Sequence, residues 1–131
     1  MKVLHPTDFS ETAQRAEAVA VELLRGLGGE LVLLHVAVRA PLYNERVFGA
    51  AHVERVYEAQ REWAEMELAK HVAALGQACI AACWEIRSGA PADEIVDAAV
   101  KAHADMIVIG THGRSGLPRL LLGSVADGAD G

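Results

Sequence analysis

The chain reads as an α/β domain built on a doubly wound parallel sheet. Three features lead there: four short apolar runs of strand length, a helical repeat after each of the first three, and enough aliphatic side chains for one core. The runs are Lys2–Pro6, Glu30–Val36, Cys79–Arg87 and Asp105–Gly110. Strands separated by amphipathic helices pair in parallel, and the helices cover both faces of the sheet. With 131 residues, 52% of them hydrophobic, and a mean hydropathy of +0.19, the chain makes a single domain, residues 1–131.

Each element has its own signal. Lys2–Pro6 ends at a breaker, so it predicts a strand that runs into a loop. Ser10 then offers a side-chain oxygen to the free amides of a helix start. Ala13, Ala16, Ala20, Leu23, Leu24 and Leu27 follow at spacings of three and four, which predicts an amphipathic helix stopped by Gly26, Gly28 and Gly29. Glu30–Val36 is almost continuously apolar, as suits a parallel strand buried on both faces.

Ala37–Phe48 holds Pro41 and Asn44 and reads as a loop. From about Gly49 to Leu75 the pattern is helical, with Val53, Val56, Ala59 or Gln60, Trp63, Met66 or Glu67, and Lys70 along the expected inner side. Trp63 reads as a packing anchor. The charges of Glu54–Lys70 read as a solvated face with pairs four residues apart. Cys79–Arg87 alternates as a third strand. Gly89-Ala90-Pro91 leads into a helix, because proline suits the first turn, and Ile95, Val96, Ala99 and Ala102 supply its inner stripe. Asp105–Gly110 is the fourth strand.

Composition removes several classes of function. Twelve basic against 18 acidic residues give a net charge of −6, so there is no broad basic footprint for nucleic acid. Aromatic residues are 5%, too few for base-stacking platforms. No apolar run reaches the ~18–20 residues of a membrane helix, and the N-terminus lacks a secretory leader's apolar core. A cytoplasmic protein with no membrane and no nucleic-acid partner is the expectation. Cys79 and Cys83, on one side of a strand, would stand ~13 Å apart at ~3.3 Å per residue, beyond the reach of a disulfide. They are expected to be reduced and half-buried, and two cysteines without a pair of histidines make a poor zinc site.

In parallel α/β sheets, ligands bind beyond the carboxyl ends of the strands where the strand order reverses. Two segments have that character. One is Pro6-Thr7-Asp8-Phe9-Ser10; the other runs from Gly110-Thr111-His112-Gly113-Arg114-Ser115-Gly116 to Gly123-Ser124. Gly110 and Gly113 let backbone amides approach a phosphate. Gly123-Ser124-Val125-Ala126 reads as a helix start, where free amides and the dipole favour an anion, and the Ser124 hydroxyl can donate to a phosphate oxygen. Arg114 and Arg119 are the only formal charges between Gly110 and Ser124. Phosphate binding and a plain glycine-rich crossover both fit this stretch. The Walker loop and a G-x-G-x-x-G after the first strand are absent.

Gly110-x2-Gly113-x9-Gly123-Ser124, preceded by an apolar strand and paired with Pro6-Thr7-Asp8-Phe9-Ser10, resembles the universal stress protein family, and within it the ATP-binding branch. The likeness runs through His35-Val36, Gly89-Ala90-Pro91 and Ala104–Gly110. It implies an adenine nucleotide alpha hydrolase-like, Rossmann-like three-layer sandwich. It also implies a nucleotide-responsive stress or signalling module that takes ATP, with Mg2+. Gly110, Gly113, Gly123 and Ser124 would hold phosphates, with Val125 closing the pocket from the next helix turn and His112 and Arg114 as further phosphate contacts. Pro6, Thr7 and Asp8 would line the nucleoside side, and Val36 would give adenine an apolar wall. The family continues past the G-[ST] helix into a fifth strand that commonly makes the dimer contact. This chain has only Asp127-Gly128-Ala129-Asp130-Gly131 there. A missing fifth strand, an open apolar edge at Asp105–Gly110, and a homodimer of open mode are what that departure implies.

Plainer readings stand beside these. His5 and His35 fall inside strands and read as core histidines rather than metal ligands. His52, His71 and His103 read as surface residues of helical segments. Asp8 fits ligand contact and ordinary turn chemistry alike. No Ser-His-Asp set or carboxylate pair emerges from the spacing, so a slow ATPase or phosphotransferase on this scaffold, and a nucleotide-free interaction scaffold, are the alternatives.

Overall fold

A computed structural model describes residues 1–39, 46–112 and 118–124 of the chain. The elements are β1 (Lys2–Pro6), α1 (Glu11–Leu27), β2 (Glu30–Ala37), α2 (Ala50–Gln77), β3 (Ala81–Ser88), α3 (Pro91–Lys101), β4 (Met106–His112) and β5 (Pro118–Ser124). They form one sheet in the order β3-β2-β1-β4-β5. β1 pairs in parallel with β2 and β4, and β2 with β3, which is the doubly wound arrangement expected.

Strand residues alternate between two apolar layers. Val3, Leu31, Leu33 and Val108 face Ala16, Ala20 and Leu24 of α1 and Leu68 and Leu75 of α2. Leu4, Val32 and Leu34 face Ala98 and Ala99 of α3. The result is a sandwich with α1 and α2 on one face and α3 on the other. Small residues on α1 and α3 let those helices sit close to the sheet.

Local signals explain the boundaries. Ser10 Oγ accepts the Ala13 amide at 3.1 Å and caps α1. At the end of α2, Cys79 takes a left-handed φ of +64, and the Ile80 amide donates back to the Leu75 carbonyl at 2.8 Å. This is the helix-ending geometry that glycine usually supplies. It also removes Cys79 from the third strand, which begins at Ala81. Cys79 lies in this turn and Cys83 in β3, and both cysteines are exposed rather than half-buried.

Four further expectations need correction. The inner face of α2 carries Tyr57, Ala64, Leu68 and Leu75, whereas Val56, Trp63 and Met66 are exposed. In α3 the buried pair is Ala98 and Ala99, and Val96 is exposed. His71 is half-buried beside Glu17, its Nδ1 2.8 Å from the carboxylate, and so is no surface residue.

The fourth concerns the chain after β4. Gly123 and Ser124 do not open a helix but end strand β5, antiparallel to β4, with Gly123 opposite Ile107 and Ser124 opposite Met106. The run Leu120-Leu121-Leu122 completes β4's backbone ladder against Gly110, Ile109 and Val108, so β4 is an inner strand and not an open edge. The residues after Ser124, where the fifth strand is expected to be missing, lie outside the described residues.

Candidate functional site

The chain leaves β1 to build β2 and β3 on one side, then returns to place β4 on the other. Beyond the carboxyl ends of β1 and β4 the connections diverge, and that divergence opens a crevice. A cleft of about 310 Å³ lies there. Pro6, Thr7 and Asp8 form its floor. Leu34, His35, Val36 and Val38 follow β2 along one wall; Ile109, Gly110 and Ala13 form the other, and Pro91 and Ile95 of α3 close one side.

Backbone bonds hold the floor. The Thr7 amide donates to the Leu34 carbonyl at 2.8 Å. His35 Nδ1 donates to the Thr7 carbonyl at 2.9 Å, which fixes its tautomer. Asp8 Oδ1 accepts the Ser10 amide at 2.9 Å, and Thr7 Oγ1 accepts the Phe9 amide at 3.0 Å. Partial burial pushes the Asp8 carboxyl up, but bonds from the Ser10 hydroxyl and amide outweigh that, leaving its pKa below the ordinary value. Asp8 therefore presents an ionised, exposed carboxylate to a cleft lined mainly by apolar side chains.

Gly110 has a packing role. A Cβ on it would lie 2.6 Å from the Thr12 carbonyl oxygen, so glycine is what lets α1 start against β4. On the other side of the slot, Arg87 of β3 bonds Glu85 at 2.8 Å and also binds Asp97 and Glu94, fastening α3 and hence Ile95.

Of the residues singled out in the sequence, Pro6, Thr7, Asp8, Val36 and Gly110 line this one cleft. His112 ends β4, two residues beyond Gly110. Gly123 and Ser124 are not brought to it. Gly110 pairs with Leu120 and Gly123 with Ile107, so Gly123 stands about 10 Å toward the opposite end of β4 at ~3.3–3.4 Å per residue. Gly113, Arg114 and Val125 lie outside the described residues. Sequence reasoning missed Leu34, Val38, Ile95 and Ile109. Ile109 and Leu34 could have been found by extending each strand to its carboxyl end.

Between residues 1 and 110, no described Lys or Arg lines the cleft, and among the described residues no group of three His, Cys, Asp or Glu could hold a metal ion. The universal stress protein family model matches residues 1–129. The chain belongs to that family. The universal stress protein MJ0531 of Methanocaldococcus jannaschii is 32% identical over 126 residues, covering 96% of this chain and 73% of the relative. The solved structure of MJ0577, from the same organism, superposes with a TM-score of 0.68 at 27% identity, over 88% of this chain and 78% of that one. A universal stress protein family member from Arabidopsis thaliana, solved with AMP bound, shares the fold at 20% identity and a TM-score of 0.61, over 88% and 79% of the two chains. Among the described residues no helix is long and apolar enough to cross a membrane.

Proposed function

We propose that this universal stress protein binds an adenine nucleotide at the switch-point cleft and serves as a nucleotide-responsive stress or signalling module. The observation that carries the reading is the convergence of Pro6-Thr7-Asp8, Val36 and Gly110, distant in sequence, on one slot. At about 310 Å³ the slot is at the small end of the ~300–1,000 Å³ of small-ligand sites. A nucleoside fits that volume with its phosphates outside. Val36, Ile95 and Ile109 offer apolar walls to a base. Asp8 would accept from ribose hydroxyls, and the phosphates would leave past Gly110 toward His112, Gly113 and Arg114.

Mg2+ would arrive on the phosphates of ATP, since it keeps most of its waters and needs few protein ligands. Asp8 is the one described carboxylate lining the cleft that could approach it.

The test is calorimetric titration of the full chain with Mg-ATP, ADP and AMP, with phosphate release followed in parallel. Binding near micromolar, about −8 kcal/mol, is expected for at least one nucleotide. Asp8→Asn should weaken it at least tenfold and Val36→Trp should abolish it by filling the slot. A folded parent protein that binds none of the three would overturn the reading. Gly123→Val separates two placements of the β5 segment. Unchanged affinity fits its pairing with β4; lost affinity fits the phosphate role implied by the resemblance.

A further inference from the structure

Phe9, between the cleft floor and α1, has a left-handed φ of +65. A bulky residue is strained there and stays only where its surroundings hold it. Those surroundings are aromatic. The Phe9 ring centroid is 5.1 Å from Trp63, edge-on, 5.2 Å from His35 and 6.1 Å from His71. His35 also donates to the Thr7 carbonyl, and Glu17 pairs with His71. Thr7 and Asp8, the two residues before Phe9, face the cleft. Trp63 belongs to α2, is 52% exposed and does not line the cleft.

We propose that Phe9, seated on Trp63 and His35, is a positioning residue that sets Thr7 and Asp8 to receive ligand and ties occupancy of the cleft to helix α2. The proposal rests on the nucleotide reading of that cleft. Freed from Trp63, Phe9 relaxes toward negative φ. The Thr7 hydroxyl and Asp8 carboxylate turn with it, because each bonds an amide of this same tight turn. Affinity then falls in proportion to the fraction of molecules still holding the receptive turn. By the same linkage, ligand that selects the receptive turn tightens the Phe9–Trp63 contact. An aromatic plug that only filled space would lower stability without changing the affinity of the folded protein.

The experiment titrates AMP and Mg-ATP into the full chain and three variants, each checked for folding by circular dichroism. Trp63→Ala is expected to bind about tenfold more weakly. Trp63→Phe, which keeps an edge-on ring, should stay within about twofold, and Met66→Ala, exposed on the same helix, should match the parent. A second measurement uses Trp84→Phe, which leaves Trp63 as the sole tryptophan. Saturating AMP should shift its emission, and adding Phe9→Leu should abolish that shift. A parent that binds while Trp63→Ala binds equally well, or while Trp63 emission stays still, overturns the positioning role alone. A parent that binds neither nucleotide overturns this proposal together with the reading beneath it.

Discussion

His5 is fully buried in β1. Its Nδ1 donates to the Val108 carbonyl at 2.7 Å, while its Nε2 has no partner among the described residues. Burial pushes its pKa below the ordinary 6.5, against the opposing pull of the Val108 carbonyl. The unfolded chain therefore takes up this proton first. The stability His5 allows is intact above pH 6.5 and is lost as the pH falls from there toward the lower folded-state value. Urea midpoints of the parent should drop between pH 7.5 and pH 5, and His5→Leu should show a shallower drop; equal slopes would remove His5 as the cause. Gly110 supports a second expectation. Gly110→Ala presses a methyl against the Thr12 backbone, so a loss of about 1–3 kcal/mol is expected in denaturant titration. At this scale the sequence singled out Asp8 and Gly110, and both line the cleft. It did not show that Gly110 is glycine because of α1, since nothing local to Gly110 records the approach of Thr12.

Elements were legible where the deciding interaction is local. β1 and the Ser10 cap are set within a few residues of themselves, and both follow from the sequence. The inner face of α2 is not local. Its apolar residues form two stripes, Val53–Val56–Trp63–Met66 and Tyr57–Ala64–Leu68–Leu75. Tertiary contact chooses the second, where the Tyr57 hydroxyl bonds Ser88 and Ala64 admits close approach to the sheet. Leu68→Ala should accordingly cost about 2–5 kcal/mol, and Val56→Ala no more than about 0.5 kcal/mol. The reverse order in thermal or urea unfolding would restore the first stripe to the core. β5 escaped notice for a related reason. Leu120–Leu122 lies within a glycine motif read for phosphate chemistry, and only β4's backbone reveals it as a strand.

The whole molecule was the most legible level. Four apolar runs and three intervening helices determine an α/β sandwich, and the point of strand reversal then locates the cleft. The sequence did not show the wall at Ile95, which reaches the cleft through a helix docked by Ala98 and Ala99 on the sheet and by Arg87. Bound nucleotide should stabilise the entire fold. Ligand at a hundred times its dissociation constant adds about 2.7 kcal/mol, so the Tm should climb with the logarithm of AMP or ATP concentration. A Tm that ignores both nucleotides would contradict occupancy of the cleft.

The strand order has a consequence in time. β1 is made first, yet it stands in the middle of the sheet, and His5 meets its Val108 partner across 103 residues of chain. The floor of the cleft is thus synthesised before the other described elements, while the wall at Ile109 and Gly110 follows only after α1, α2 and α3 have been made. At ~5–20 residues per second, that delay on a ribosome is on the order of ten seconds. A small molecule that needs both sides of the slot cannot assist the early steps of folding, and what it recognises is a chain already assembled through β4.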